Sequence, residues 1–210
     1  MGKCLLITRP DHDDVTFYLS KWGEKIMDEA KENDFKILDL NGSKANRATF
    51  ESYNSKNQVN FIIFNGHGDG STVTGYRNEP LVQQGVNDTT LRSRIVYSIS
   101  CSSASGLGKS AVASGATAYV GYTDDFVFFI DTNSSATPLN DSMARIFLNH
   151  SQTLTSNLLK GATVGHAHGR ARGELERAFR ASLTQDPSIS RYLWWDYLNF
   201  VAIGDIDAKL

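Results

Sequence analysis

Two residues of this 210-residue chain stand in surroundings suited to covalent chemistry. His67 lies in Asn65-Gly66-His67-Gly68-Asp69-Gly70, and Cys101 in Ile99-Ser100-Cys101-Ser102-Ser103. A thiolate is a strong nucleophile, but a free cysteine, with a pKa of about 8.5, is mostly thiol at neutral pH. A neighbouring imidazole can take that proton or hold it in an ion pair. Glycines on both sides of His67 supply no core contacts and let backbone come close to a substrate. The amides of Gly68 and Cys101 would then face a developing oxyanion. A lone cysteine at a strand end is often only a small buried hydrophobe, and a lone histidine is often structural. The two together, in polar Gly/Ser loops, point to a nucleophile and its base.

Such a pair needs elements to bring it together. Both residues follow short apolar runs, Val59 to Asn65 and Ile95 to Ser100, which read as buried strands. Further strands are expected at Cys4–Thr8, Phe35–Leu40, Ala116–Gly121 and about Leu198–Ile203. Helical spacing appears over Thr16–Asn33, where Phe17, Leu19, Trp22, Ile26, Met27 and Ala30 share a face. Helices are also expected near Arg47–Tyr53, Ser105–Gly115, Leu139–Asn149 and Ser156–Arg180. Strands alternating with helices give βαβ units, and continuous apolar runs mean strands covered on both faces. The expectation is α/β: one three-layer α/β/α domain over residues 1–210, with a mostly parallel sheet of about six strands. Such sheets place ligands at the carboxyl ends of their strands. Adjacent strands would set His67 beside Cys101, and a helix following Cys101 would add its N-terminal dipole in favour of the thiolate.

Composition narrows the partners. Lys plus Arg number 21 and Asp plus Glu 23, so there is no basic excess to hold a phosphate backbone, and nucleic acid is not expected as a direct partner. No apolar run approaches the roughly 20 residues of a membrane span, so no membrane partner is expected either. Two cysteines, Cys4 and Cys101, make neither a disulfide framework nor a structural zinc pattern. The expected setting is the cytoplasm, with reduced thiols. No cofactor and no metal ligand set is expected. Gly106-Leu107-Gly108-Lys109-Ser110 lacks the first glycine of a phosphate-binding loop, since Ser103 stands there. His166 and His168, two apart on a helix, face different ways.

The segments Phe61-Ile62-Ile63-Phe64-Asn65-Gly66-His67-Gly68 and Ile95-Val96-Tyr97-Ser98-Ile99-Ser100-Cys101-Ser102-Ser103 resemble the His and Cys blocks of the caspase-like cysteine peptidases. Small residues after the cysteine look most like the CHAT and separase branch. The closing Phe200-Val201-Ala202-Ile203-Gly204-Asp205 is similar to the end of gingipain-type domains. The spacing from His67 to Cys101 is shorter than the roughly 50 residues of caspases, and Gln-Ala-Cys is missing. The resemblance implies a caspase-like fold and a peptidase acting through a His67–Cys101 dyad and an acyl-enzyme. Gly68 and Cys101 amides would form the oxyanion hole, and no third residue is named.

It also implies cleavage after Arg or Lys by way of acidic pocket residues. Asp124 and Asp125, after the fifth strand, are the first choice, and Asp13 the second, although Asp13 equally suits a helix cap. Arg9 and Arg77 are exceptions on an otherwise acidic rim. The expected partners are a protein or peptide substrate and an activating or regulatory protein, as in defence or signalling. Phe126–Ile130 is apolar in a loop and reads as a hairpin strand, a lid or a docking surface. The basic stretch Arg170–Arg180 offers sites for self-cleavage. The competing reading is a catalytically silent scaffold or regulatory binding module on the same fold.

Overall fold

A computed structural model describes residues 2–210. The described residues form eight strands and six α-helices. They are β1 (Cys4–Arg9), α1 (Asp14–Glu32), β2 (Lys36–Asn41), α2 (Arg47–Lys56), β3 (Phe61–Asn65), β4 (Thr72–Thr74), β5 (Pro80–Gln83), β6 (Ile95–Ile99), α3 (Leu107–Ala113), β7 (Ala118–Tyr122), α4 (Ser142–Leu159), α5 (Val164–Gln185), α6 (Pro187–Asn199) and β8 (Phe200–Gly204). Six of the strands form one sheet in the order β2-β1-β3-β6-β7-β8. All its pairings are parallel except β7 with β8.

The unbroken apolar runs are explained by two separate cores. Leu5, Ile7, Phe61, Ile63, Ile95 and Tyr97 face one layer, with α1, α4 and α5. Leu6, Ile62, Phe64, Val96 and Tyr119 face the other, with α2, α3 and the β4–β5 hairpin. Neighbouring residues point to opposite faces, so a strand buried on both must be apolar throughout.

From β1 the chain first adds β2 on one side and then β3 on the other. Strand order therefore reverses between β1 and β3, which opens a crevice at their carboxyl ends. The residues after β1, β3 and β6 line it: Pro10 to Asp13, Gly66 to Gly70, and Ser100 to Ser103.

One expected helix boundary is corrected, and α6 and the β4–β5 hairpin appear beyond the elements expected. The helix break expected between Asn149 and Ser156 falls later, because α4 continues to Leu159 and Gly161 turns the chain at φ +84°. The aromatic stretch around Trp194 is the helix α6, started by Asp186 at its N-cap and Pro187 just inside. The Gly68–Thr90 loop contains the hairpin β4–β5, whose strands of three and four residues are too short for a periodic signal. Arg170–Arg180 lies within α5, so it would have to unwind before entering any extended-peptide cleft.

Candidate active site

The pairing of β3 with β6, Asn65 opposite Ile99, puts His67 and Cys101 at neighbouring strand ends, each two residues past the paired position. The loops they occupy are clamped together. Gly66 N–H donates to Ile99 O at 3.4 Å, and Leu107 N–H to Gly70 O at 2.7 Å. A methyl group on Gly68 would meet Thr72 O at 2.7 Å and Ser100 Cβ at 2.9 Å, so only glycine permits this approach. Among the described residues, neither Gly68 N–H nor Cys101 N–H spends its donor on the protein. Two unspent backbone donors beside a nucleophile are what an oxyanion requires.

His67 is oriented from β1. Its Nε2 lies 2.8 Å from Asp13 Oδ2, across the crevice. Asp13 is the N-cap of α1, where its Oδ1 accepts from Thr16 N–H at 2.8 Å in a capping box. Those hydrogen bonds and the neighbouring imidazole hold the Asp13 carboxyl below its ordinary pKa despite partial burial. Sequence reasoning named Asp13 as a pocket residue or a cap; its contact with His67 spans 54 positions and carried no local signal.

Cys101 is half-buried, and its Sγ faces the carbonyl oxygen of Phe126 at 4.0 Å; among the described residues no hydrogen bond joins it to His67. Burial pushes its thiol above the ordinary value, the Phe126 contact pulls it slightly back, and nearby Asp125 raises it further. The expected help from a helix dipole is absent: Cys101–Gly106 form turns, α3 starts only at Leu107, and Ser102 takes a left-handed φ of 55°. Cys101 thus rests as a thiol, next to a strained backbone position at Ser102.

The roof is the segment Phe126–Ile130, which forms no strand and meets Cys101 Sγ through the Phe126 carbonyl. Phe126 stacks on Tyr122 and on Phe128, with centroids 4.6 and 5.8 Å apart. Val127 N–H donates to Asp196 Oδ1 at 3.0 Å. Asp196, on α6, is buried with its other carboxylate oxygen unpartnered, and burial pushes its pKa above the ordinary carboxylate value. Sequence reasoning missed it among the aromatic residues of α6.

The acidic candidates separate by what they touch. Asp124 braces the loop: its carbonyl accepts from Ser102 N–H at 2.9 Å and its carboxylate from Asp125 N–H at 2.8 Å. Asp125 is exposed and borders a shallow pocket of about 340 Å³ with Val127, Arg191, Tyr192 and Trp195. Larger grooves lie elsewhere, one between α4, α5 and α6 and one between Phe129–Asp131, the start of α4 and α6. Arg9 leaves the rim altogether, paired under β1 with Asp39 at 2.6 Å and Glu24 at 3.2 Å. His168 bonds Phe200 O while His166 is exposed, so that pair holds nothing in common.

No protein-family model matches the chain, and no curated protein matches it in sequence. Solved structures do match its fold. The Arg-specific cysteine proteinase gingipain R aligns over 100% of this chain and 48% of its own length, with a TM-score of 0.62 at 10% identity. The separase–securin complex of Saccharomyces cerevisiae includes a chain that aligns over 97% of this one and 12% of its own length, with a TM-score of 0.55 at 12% identity. This chain therefore spans about half of the gingipain structure and a small part of the other. The α/β sheet with its flanking helices is a caspase-like fold, the scaffold of those cysteine peptidases.

Proposed function

We propose that this chain is a cysteine endopeptidase acting through Cys101 and His67. The observation that carries the reading is the placement of a thiol and an imidazole at the ends of adjacent parallel strands, beside two unspent backbone N–H groups. Cys101 Sγ attacks the scissile carbonyl while His67 accepts the thiol proton, which suits a nucleophile that rests as a thiol. The N–H groups of Gly68 and Cys101 receive the oxyanion. Protonated His67 then gives its proton to the leaving amine, and the acyl-enzyme remains. Water, deprotonated by His67, releases the product and restores the thiol. Asp13 keeps the imidazole oriented and stabilises its charged form.

The substrate side chain at P1 is Arg or Lys. Asp125 supplies the carboxylate and Trp195 a flat face for a cationic stem, while Tyr192 already carries the Arg191 guanidinium on its ring, which must turn aside. The roof at Phe126 makes the resting form closed, so turnover waits on its displacement, in line with control by an activating protein. One observation favours the silent-scaffold reading instead: the thiol is covered and raised.

A panel of fluorogenic peptides varied at P1, run on wild type and Cys101→Ala, separates these readings. Cleavage after Arg or Lys that disappears in the variant supports dyad and pocket together. Cleavage after Asp but not Arg removes the pocket assignment. Where no peptide is cut, alkylation decides. Fast labelling of Cys101 once Phe126→Ala loosens the roof keeps the enzyme reading, and a thiol that stays inert there leaves the scaffold.

A further inference from the structure

The crevice holds a second histidine that the dyad does not need. His12, in the loop between β1 and α1, has a side chain only 12% exposed. Its Nε2 lies 3.5 Å from Asp13 Oδ2, the same oxygen that His67 Nε2 approaches at 2.8 Å. Asn78 Oδ1 stands 3.3 Å from that His12 nitrogen. The His12 ring is wedged edge-on between those of His67 and Tyr76, with centroids 6.2 and 5.6 Å away. The donor atoms of His12, Asp13 and His67 all lie within 4.8 Å of one another.

We propose that His12, Asp13 and His67 form a binding site for a divalent cation of the zinc class. Ligands at about 2.0–2.1 Å around a tetrahedral zinc stand about 3.3 Å apart, and the separations of 2.8 and 3.5 Å bracket that edge. Two imidazoles and one carboxylate suit zinc better than calcium or magnesium, which prefer all-oxygen shells. Asp13 Oδ1 is already committed to Thr16 N–H, so Oδ2 remains as a single-oxygen ligand. Burial of His12 and the helix cap on Asp13 fix two of the three ligands before any metal arrives.

Occupation would switch the proposed peptidase off, a consequence that rests on that reading, whereas the binding does not. With the metal on Nε2, the one proton of the neutral imidazole sits on Nδ1. His67 then has no lone pair left to accept the Cys101 proton, and no second proton to give a leaving amine. Removing the metal restores both.

The test is calorimetric titration of chelator-treated full-length chain with Zn²⁺, using wild type, His12→Ala, His12→Gln and Cys101→Ala. The expected result is one equivalent bound by wild type and Cys101→Ala. Both His12 variants should bind at least about tenfold more weakly, since loss of a direct ligand costs no less than loss of its supporting contacts. His12→Gln keeps the bulk of the ring's neighbourhood filled should the alanine variant fold poorly. No saturable binding, equal affinity in a folded His12 variant, or binding abolished by Cys101→Ala overturns the site. Peptide turnover in the presence of Zn²⁺ is read separately. Calorimetry still reports the site if no peptide is cut, and turnover insensitive to bound Zn²⁺ overturns the inhibitory role alone.

Discussion

The carboxylate of Asp13 serves two neighbours at once, the first turn of α1 and the imidazole of His67. These roles separate by substitution. Asn caps helices as well as Asp does, but carries no charge. Asp13→Asn should therefore keep the melting temperature while kcat for peptide cleavage falls by about tenfold or more, within the range for general acid–base groups. Asp13→Ala should add a loss of about 1 kcal/mol in denaturant unfolding from the missing cap. An Asn variant with full kcat would leave Asp13 as a cap alone. Cys101 gives a pH-dependent reading at the same scale. Its thiol is raised by burial and by Asp125, so the thiolate fraction at any given pH lies below that of an ordinary cysteine. Alkylation of the resting chain should be slow at pH 6 and climb steadily into the alkaline range. Rapid labelling already complete at pH 6 would mean a preformed ion pair instead.

Two loops decide how the strand ends are used. The first is the glycine loop around His67, which passes against β6 and the hairpin with no room for a methyl group at Gly68. Gly68→Ala must push Thr72 or Ser100 away, and overpacking of this kind costs about 1–3 kcal/mol. The same shift displaces an oxyanion donor, so the expected outcome is lower stability by thermal unfolding together with a fall in kcat. A variant that melts normally and turns over normally would remove Gly68 from the oxyanion hole. The second loop is the roof, held by the stacking of Phe126 on Tyr122 and by Val127 N–H on Asp196. Phe126→Ala removes the stacking while leaving the chain's carbonyl in place. Cys101 should then alkylate several-fold faster, with Cys4, buried in β1, as an internal reference. Unchanged labelling would mean that the roof does not limit access.

Across the whole molecule, one buried histidine couples stability to pH. His150 on α4 is 1% exposed, hydrogen-bonded between Tyr122 OH and Phe147 O, and burial lowers its pKa to about 4. An unfolded histidine titrates near about 6.5. Between those values the unfolded chain binds the extra proton, so stability falls as pH drops through that window. The full span corresponds to about 3 kcal/mol at 1.36 kcal/mol per unit. Asp196 acts in the opposite direction. Its folded pKa is raised, so its contribution is lost as pH rises from the unfolded carboxylate value toward the folded one. Between urea midpoints measured at pH 7, 6 and 5, wild type should lose stability relative to His150→Gln, which can still accept from Tyr122. Parallel curves would place the acid sensitivity elsewhere.

The six strands of the main sheet, their two-faced burial and the placing of His67 and Cys101 at strand ends were legible in the sequence. Each is written locally: apolar runs of strand length, helical spacing, and glycines or serines at the points where strands stop. Adjacency of β3 and β6 is made by a connection that carries the β4–β5 hairpin in place of a helix, so it did not follow from a βαβ pattern. What lay beyond reach depends on residues distant in the chain. Asp13 meets His67 only because the strand order reverses between β1 and β3, and nothing in Asp11-His12-Asp13 encodes that reversal. The contact of Phe126 with Cys101, the burial of Asp196 under Val127 and the convergence of His12 and His67 on Asp13 arise where segments far apart in the chain pack together. Side-chain type and spacing specify chemistry that a residue can perform. Protonation state, access and shared ligands are set by burial and by neighbours, which only the tertiary structure supplies.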